Sequence, residues 1–229
     1  NKLLENDQPT PAYDYQDLSF YEIGYALGYK SIGFFESQED IDGSPAQKFG
    51  PVIPGDIKYQ DTNGDNVIDP SDRVPIKCFS VPTLTGGLSV GFNIHGFDFS
   101  MLLSGAMGGT ARLWSYPSSV INLRRWTKEN KDAILPVAHT TANNNVISDQ
   151  NLMKTDYLKL RNIELGYTFP TAWMKKIHVT AARIYVNAQN VAVWDRMWLK
   201  DRDPESAGSG TLPYPLQRVF NMGLRFELQ

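Results

Sequence analysis

The sequence predicts an all-β protein: a section of a transmembrane antiparallel β-barrel with long extracellular loops. Three observations support this fold class. Apolar and polar residues alternate in five segments, and such an alternation places the two sets on opposite faces of a strand. The polar sets of the first two segments contain mostly Gly, Ser, Thr and Asn, whereas a water-facing sheet usually shows long charged side chains. Short and long connections alternate along the chain, as they do in barrels that cross a membrane.

The clearest alternation forms two strands joined by a turn at residues 93–96. In the first strand Leu84, Leu88 and Phe92 share one face, and in the second Phe97 and Phe99 do. A tilted strand needs roughly 9–11 residues to cross a bilayer, and each segment is long enough. The predicted strands are about 83–93, 97–106, 155–169, 179–190 and 218–228.

The connections fall into two classes. Residues 93–96 form a tight turn, and residues 170–178 form a short link with a helical turn. Residues 107–154 and 191–217 are long outer loops, which a compact soluble domain rarely carries. Residues 1–82 form an extracellular region with at least one strand between Phe20 and Phe35.

The long loops carry aromatic side chains that could stack on sugars or pack the loops against one another. Of these two roles, packing is slightly favoured. These side chains are Trp114, Tyr116, Trp126, Trp194 and Trp198.

Composition excludes several classes of protein. The net charge of −3 gives no support for nucleic-acid binding, which favours a basic face. Cys78 is the only cysteine, so no internal disulfide forms, and its apolar context favours a plain packing role. No apolar run reaches the length of a transmembrane helix. The chain begins at Asn1 without a signal peptide, which indicates a mature or excised piece of a larger protein.

An acidic loop spans residues 61–72 and has the ligand spacing of a twelve-residue Ca²⁺ loop. Ca²⁺ binds several hard oxygen ligands at once, and alternate positions of a curled loop supply them. The loop departs from an EF-hand, with Asn66 where Gly is expected and Asp72 where Glu is usual, so its spacing is dockerin-like. The alternative is a solvated turn rich in Asp and Asn. The predicted metal ligands are Asp61, Asn63, Asp65, Val67 through its carbonyl, Asp69 and Asp72.

No catalytic constellation is present in the sequence, and we expect no enzymatic activity. The three histidines, His95, His139 and His178, are far apart and lack the spacing of a zinc site. The carboxylates Asp201, Asp203 and Glu205 could form a glycosidase pair, but in a polar loop such groups are more often only solvated.

Dispersed motifs over nearly the whole chain resemble the SusC/RagA type of TonB-linked outer-membrane proteins, and they keep that family's order. Residues 157–170, which read Tyr-Leu-Lys-Leu-Arg-Asn-Ile-Glu-Leu-Gly-Tyr-Thr-Phe-Pro, are similar to the family's most recognisable strand. The other matching segments are residues 28–42, 54–61, 96–100, 183–190, 203–205 and 214–218.

The resemblance covers the C-terminal portion of such a protein and implies the last strands of a plugged barrel of about 22 strands. It implies import of oligosaccharides or peptides across the outer membrane of a Bacteroidetes bacterium. Within the same transporter, the chain is expected to contact the plug and the N-terminal strands. Its other expected partners are a SusD-like surface lipoprotein, TonB through the missing N-terminal part, outer-membrane lipid, and a glycan or peptide substrate.

Two other functions fit parts of the sequence. One is a soluble secreted β-domain that binds glycans through a Ca²⁺-stabilised loop, and the other is a surface adhesin without transport. The substitution Leu88→Arg distinguishes the soluble β-domain from a membrane barrel. If Leu88 faces lipid near the bilayer midplane, the arginine should lower the stability by about 2–4 kcal/mol.

Overall fold

The structure, a computed structural model, describes residues 11–19, 21–112, 124–200, 202–207 and 216–228. The chain divides into two compact units. The first unit contains residues 1–80 and 110–153, and the second contains residues 81–109 and 154–229. The first break lies close to the expected boundary after residue 82. Residues 110–153, which belong to the connection 107–154 predicted as a long outer loop, group with the first eighty residues.

Thirteen strands and two short α-helices are present in the described residues. The strands are β1 Tyr25–Gly28, β2 Ser31–Phe34, β3 Ala46–Gln47, β4 Ile57–Tyr59, β5 Val67–Ile68, β6 Val74–Lys77, β7 Leu84–Ile94, β8 Phe97–Met107, β9 Thr110–Arg112, β10 Leu152–Lys154, β11 Tyr157–Thr168, β12 Val179–Asp195 and β13 Val219–Leu228. The helices are α1 Gln38–Asp42 and α2 Thr171–Met174, and 3-10 turns cover Asp14–Gln16, Pro70–Asp72, Asn143–Asn145, Asp149–Asn151 and Lys175–Ile177.

The second unit is one antiparallel sheet of five strands in the order β13-β12-β11-β8-β7. A two-residue turn joins β7 to β8, and its central residues His95 and Gly96 both have positive φ, at 51° and 86°. This backbone matches the right-handed twist of the flanking strands, which explains why a short turn suffices here. The link between β11 and β12 contains α2, in the segment 170–178 where a helical turn was predicted.

Four of the five long strands agree with the predicted segments to within about two residues at each end. The exception is β12, which continues to Asp195 instead of ending at residue 190. Asn190 has a positive φ of 53° and interrupts the regular strand without ending it. The chain resumes pairing with β11 beyond this irregularity, and Trp194 therefore lies in a strand and not in a loop.

The first unit contains small two-stranded pairs: β1 with β6, β2 with β4, and β3 with β5. Its core is formed by Tyr29, Ile57, Tyr59 and Ile68, all at most 2% exposed, and the ring of Phe49 packs edge-on against both tyrosines. The strands predicted between Phe20 and Phe35 are β1 and β2, with Phe20 itself outside the described residues.

Three amide side chains, of which Asn143 and Asn144 are buried and Gln47 is half-buried, pair with the backbone of β4. Asn143 donates to the carbonyl of Ile57 at 2.9 Å, and the oxygen of Asn144 accepts from the Ile57 N–H at 3.0 Å. Gln47 donates to the same Ile57 carbonyl at 2.9 Å and accepts from the Tyr59 N–H at 2.8 Å. These amides satisfy backbone groups that a further strand would otherwise pair.

No helix in the described part of the chain is both long enough and apolar enough to span a membrane. Three side chains singled out above, Trp114, Tyr116 and Asp201, lie outside the described residues.

Candidate functional site

The five-stranded sheet has one continuous apolar face. Paired positions on neighbouring strands point to the same side, so the pairing aligns apolar side chains in rows across the sheet. One such row is Phe92, Phe99, Leu165, Val186 and Met222. These side chains are not covered by other residues of the unit. Leu88 is 55% exposed, Leu165 47% and Met222 77%. A sheet folded in water would bury such a face, so this face requires an apolar environment.

A bulge keeps the apolar face continuous where the sequence alternation changes phase. Leu158 and Leu160 occupy even positions, whereas Ile163 and Leu165 occupy odd ones. The pairing of β11 with β8 shifts between Leu160 and Asn162, which leaves Arg161 as an extra residue. One extra residue exchanges the faces of all residues beyond it. All four apolar side chains therefore share one face, and Lys159 and Glu164 share the other.

Aromatic side chains mark the two ends of the apolar face. At the turn end the rings of Phe97 and Tyr167 lie 4.6 Å apart, and at the other end Trp194 pairs with Leu158 and is 55% exposed. The stretch of β11 from Leu158 to Tyr167 covers roughly 20 Å of bilayer at the usual tilt, close to the apolar band of about 25 Å in membrane barrels. Aromatic rings at both borders are typical of such bands.

The loop tryptophans therefore have different roles. Trp126 is 5% exposed and packs against Gly55, where a Cβ atom would lie 2.3 Å from the indole ring. Trp126 therefore has the packing role that was expected, whereas Trp194 lies in β12 at the aromatic end of the apolar face. Trp198 is half-buried.

The opposite face of the sheet is polar, and near the turns it carries an ion-pair cluster. Arg183 on β12 pairs with Asp98 on β8, and it also pairs with Glu164 on β11 at 2.7 Å. Asn187 continues the cluster towards β13 through Glu164 at 3.4 Å. Gly166 makes room for the Arg183–Asp98 pair, because a Cβ atom there would lie 2.4 Å from the guanidinium.

A second cluster lies near the opposite end of the polar face and holds a loop segment against β11. The side chain of Lys159 is only 2% exposed, and its ammonium contacts the carboxylates of Asp203 and Glu205 at 2.6 Å each. Tyr157 donates to Glu205 at 2.6 Å, and Arg161 pairs with the same carboxylate. Asp203 and Glu205, considered above as a glycosidase pair, are thus fully engaged in ion pairs with the sheet.

We expect the attachment of the 202–207 segment to weaken in acid. Burial raises the pKa of Glu205, but hydrogen bonds from Lys159, Tyr157 and Arg161 outweigh it and lower the pKa to about 2. An unfolded glutamate titrates near 4.3. Because the folded pKa is the lower one, this contribution to stability is complete above about pH 4.5 and is lost as the pH falls towards 2.

The measurement is the unfolding midpoint of the full-length protein between pH 6 and pH 2, compared with that of Glu205→Gln. The variant should lose less stability over this interval than the natural protein. Equal pH dependence in the two proteins would contradict the role assigned to Glu205. Glu227→Gln, at an exposed position of β13, is the control and should behave like the natural protein.

The predicted calcium ligands are brought together in one loop, but their oxygens bind mainly the loop's own N–H groups. Asp61 accepts from the N–H of Gly64 at 2.7 Å and from that of Asn66 at 2.8 Å. Desolvation raises the pKa of Asp61, but these backbone bonds outweigh it and the pKa is lowered. The carboxylate is therefore ionised at neutral pH.

The other predicted ligands also hold the loop. Asp72 is fully buried and accepts from the N–H of Thr62 at 2.8 Å and that of Asp69 at 2.9 Å. Asp69 caps the 3-10 turn that contains Asp72. Asp65 accepts from the N–H of Val67 and from the amide of Asn63. Within the described residues, no three His, Cys, Asp or Glu side chains come together as a set that could hold a metal ion. Calcium binding therefore stays a prediction.

A buried carboxylate that the sequence analysis missed organises the first unit. Asp56 is fully buried, and its oxygens accept from the N–H of Ile53 at 2.9 Å and from the amide of Asn144 at 2.7 Å. Its third partner is the ring Nδ1 of His139 at 2.9 Å. His139 and Asn144 lie 83 and 88 residues away from Asp56 in the chain, so no local pattern could indicate these two partners.

The sequence and the fold were compared with those of known proteins. No protein-family model matches the sequence. The TonB-dependent receptor P26 of Formosa agariphila is 26% identical over 232 residues, which cover 86% of this chain and 22% of the receptor. The TonB-dependent receptor SusC of Bacteroides thetaiotaomicron is 24% identical over 215 residues, covering 90% of this chain and 20% of SusC.

Solved structures agree with these sequence matches. A chain in the structure of the RagAB peptide importer in its open-open state has a TM-score of 0.62 at 17% identity, covering 91% of this chain and 24% of that one. A chain of the RagAB peptide transporter has a TM-score of 0.60 at 18% identity. This chain is similar in sequence and in fold to the SusC/RagA-type TonB-dependent receptors. It spans about a fifth of the length of the SusC-type receptors it matches.

The relationship confirms the predicted fold class, a section of a transmembrane antiparallel barrel. It also confirms the predicted outer-membrane location, because TonB-dependent receptors are outer-membrane β-barrel proteins. The SusC-type receptors are transport proteins, which agrees with the expectation of no enzymatic activity at the level of the family.

Proposed function

We propose that this chain forms part of the wall of a TonB-dependent importer that carries oligosaccharides or peptides across the outer membrane. The observation that carries the proposal is the division of the sheet into an exposed apolar face and a charged polar face. Leu165 and Met222 face lipid, and the Arg183 and Lys159 clusters face the lumen. The soluble glycan-binding alternative is disfavoured, because an apolar face of this extent would aggregate in water.

The importer needs the rest of its polypeptide to close the barrel. Among the described strands, β7 and β13 each have a neighbour on one side only. An open sheet edge is not tolerated in hydrocarbon, because its backbone groups have no partner there. The N-terminal strands of the same transporter therefore complete the wall, its plug fills the lumen, and TonB contacts the missing N-terminal part.

The alternation of connections orients the sheet. The β7–β8 turn and the link containing α2 lie at one end, and the long connections after β8 and β12 lie at the other. In outer-membrane barrels short turns are periplasmic and long loops are extracellular. A SusD-like lipoprotein would then sit on the side of the long connections, where it could hand substrate to the lumen.

Transport is tested in cells that carry or lack the full-length receptor. Uptake of labelled oligosaccharides and peptides should fall to background when either the receptor or TonB is removed, and a SusD-like lipoprotein should co-purify with the receptor. Uptake that is unchanged in both strains would overturn the proposal. The comparison of the two substrate classes decides which one is carried.

We also propose that residues 61–72 bind Ca²⁺ on the extracellular side. Each carboxylate oxygen can accept about two bonds, so those of Asp61 and Asp65 keep free acceptor positions beside their backbone bonds. Asp65→Ala should abolish uptake of Ca²⁺ measured by calorimetry on chelated, refolded full-length protein. Asp42→Ala, an exposed aspartate outside the loop, is the control. Absence of uptake in the natural protein, or equal uptake in Asp65→Ala, would contradict the proposal.

A further inference from the structure

The link between β11 and β12 carries an exposed tryptophan followed by two exposed lysines. Trp173, on α2, is 57% exposed, and Lys175 and Lys176 follow it in the next turn. Within the described part of the chain, neither ammonium has a carboxylate partner. Residues 169–182 contain no Asp or Glu, and Glu227 pairs with Ala181 on the polar face of the sheet. The link is therefore a cationic segment beside an exposed indole.

This link begins where the apolar face of the sheet ends. The rings of Phe97 and Tyr167 lie 4.6 Å apart, and the ring of Phe169 meets that of Tyr167 edge-on at 5.3 Å. Apolar side chains, aromatic rings and then lysines thus follow one another towards this end of the sheet. A bilayer has the same order of layers, because hydrocarbon gives way to an interface that favours aromatic rings and then to charged headgroups.

The chemistry of the three exposed side chains fits that boundary. An indole has a large apolar ring and one N–H donor, so it is most stable where one side is apolar and the other is wet. A water-filled lumen would leave the exposed ring of Trp173 in water. A lysine lays its apolar stem along such a surface and extends its ammonium into the polar layer, where it binds a phosphate as a point charge.

We propose that the link 170–178 is a docking site for an anionic phospholipid of the periplasmic leaflet. Lys175 and Lys176 bind its phosphate, and the upper part of an acyl chain lies against Trp173. The inference rests on the proposed importer, because the orientation of the sheet places the short connections on the periplasmic side. It names a lipid partner for the wall and fixes the depth at which this end of the sheet sits in the membrane.

The test uses Trp173 as a reporter in the full-length receptor, reconstituted into phosphatidylcholine vesicles. Its emission is the difference between the natural protein and Trp173→Phe. Quenching by phosphatidylglycerol brominated on its acyl chains is compared with quenching by phosphatidylcholine brominated in the same way. The anionic lipid should bind beside Trp173 about tenfold or more tightly, since each lysine near a lipid surface contributes about 1 kcal/mol, a factor of about five. Added salt should reduce this preference.

A double variant locates the phosphate site. Lys175→Gln combined with Lys176→Gln should remove the preference for the anionic lipid and leave the quenching by brominated phosphatidylcholine unchanged. Lys30→Gln combined with Lys128→Gln is the matched control, because it makes the same change of charge at two exposed lysines of the first unit. This control should keep the full preference. All four lysines are exposed, so none of these changes should prevent folding.

Absence of quenching of Trp173 by either lipid would show that the link faces the lumen or another protein segment, and the inference would be wrong. Equal quenching by the two lipids, or an unchanged preference in the Lys175 and Lys176 double variant, would also overturn it. If TonB-dependent uptake persists in those cases, the importer proposal stands and only the lipid site fails. If no uptake depends on TonB, the importer proposal itself fails, whatever the lipids show.

Discussion

Replacing Leu165 with arginine in the full-length protein is expected to lower its free energy of unfolding in a bilayer by about 2–4 kcal/mol. Leu165 lies on the central strand β11, in the middle of the apolar face, and is 47% exposed. A guanidinium there would enter hydrocarbon without a partner. The measurement is reversible unfolding from lipid vesicles in denaturant, together with the amount of receptor recovered from the outer membrane.

The control lies three residues away on the opposite face. Asn162 is exposed on the polar face, where an added arginine would face the lumen and its ion pairs. Asn162→Arg should therefore cost much less than Leu165→Arg. Equal costs at the two positions would mean that the apolar face does not contact lipid, and the wall proposed above would be wrong.

Lys159→Met should cost about 3–5 kcal/mol, because removing one member of a buried ion pair takes away the ammonium that compensates the charge of the nearly buried Asp203. Lys159 is 2% exposed and is the ammonium shared by Asp203 and Glu205. Methionine keeps the length and apolar volume of the side chain, so the change isolates the charge. We expect lower stability in denaturant and faster proteolysis within residues 202–207.

Lys200→Met is the matched control for this change. Lys200 also pairs with an aspartate, Asp195 at 2.5 Å, but its side chain is 58% exposed, and such surface pairs contribute at most about 1 kcal/mol. A loss in Lys159→Met no larger than that in Lys200→Met would show that the polar-face cluster does not hold the loop.

These two clusters explain how a charged lumen surface can stay ordered. On each, a cation on the sheet is shared by two carboxylates, Arg183 by Asp98 and Glu164 and Lys159 by Asp203 and Glu205. The first fixes the strands to one another near the turns, and the second fixes a loop to the wall near the opposite end. In the importer proposed above, a solute in the lumen would pass both clusters.

The amino-acid sequence by itself determined the strands and their two faces. Alternation is a local property, so residues such as Leu88, Leu165 and Leu224 could be assigned to one face without knowledge of their neighbours. The hairpin turn at His95 and Gly96 follows from equally local backbone preferences. The type of each connection, short or long, was also readable from its length and composition.

The tertiary structure decided everything that depends on distant partners. The bulge at Arg161 exists only as a relation between β11 and its neighbours, and β12 extends to Asp195 because β11 continues to pair with it. Arg183 meets Asp98 across 85 positions, and Asp56 meets His139 across 83. Side-chain charge can be read from a sequence, but which opposite charge neutralises it depends on strand register, and register is set by the whole sheet.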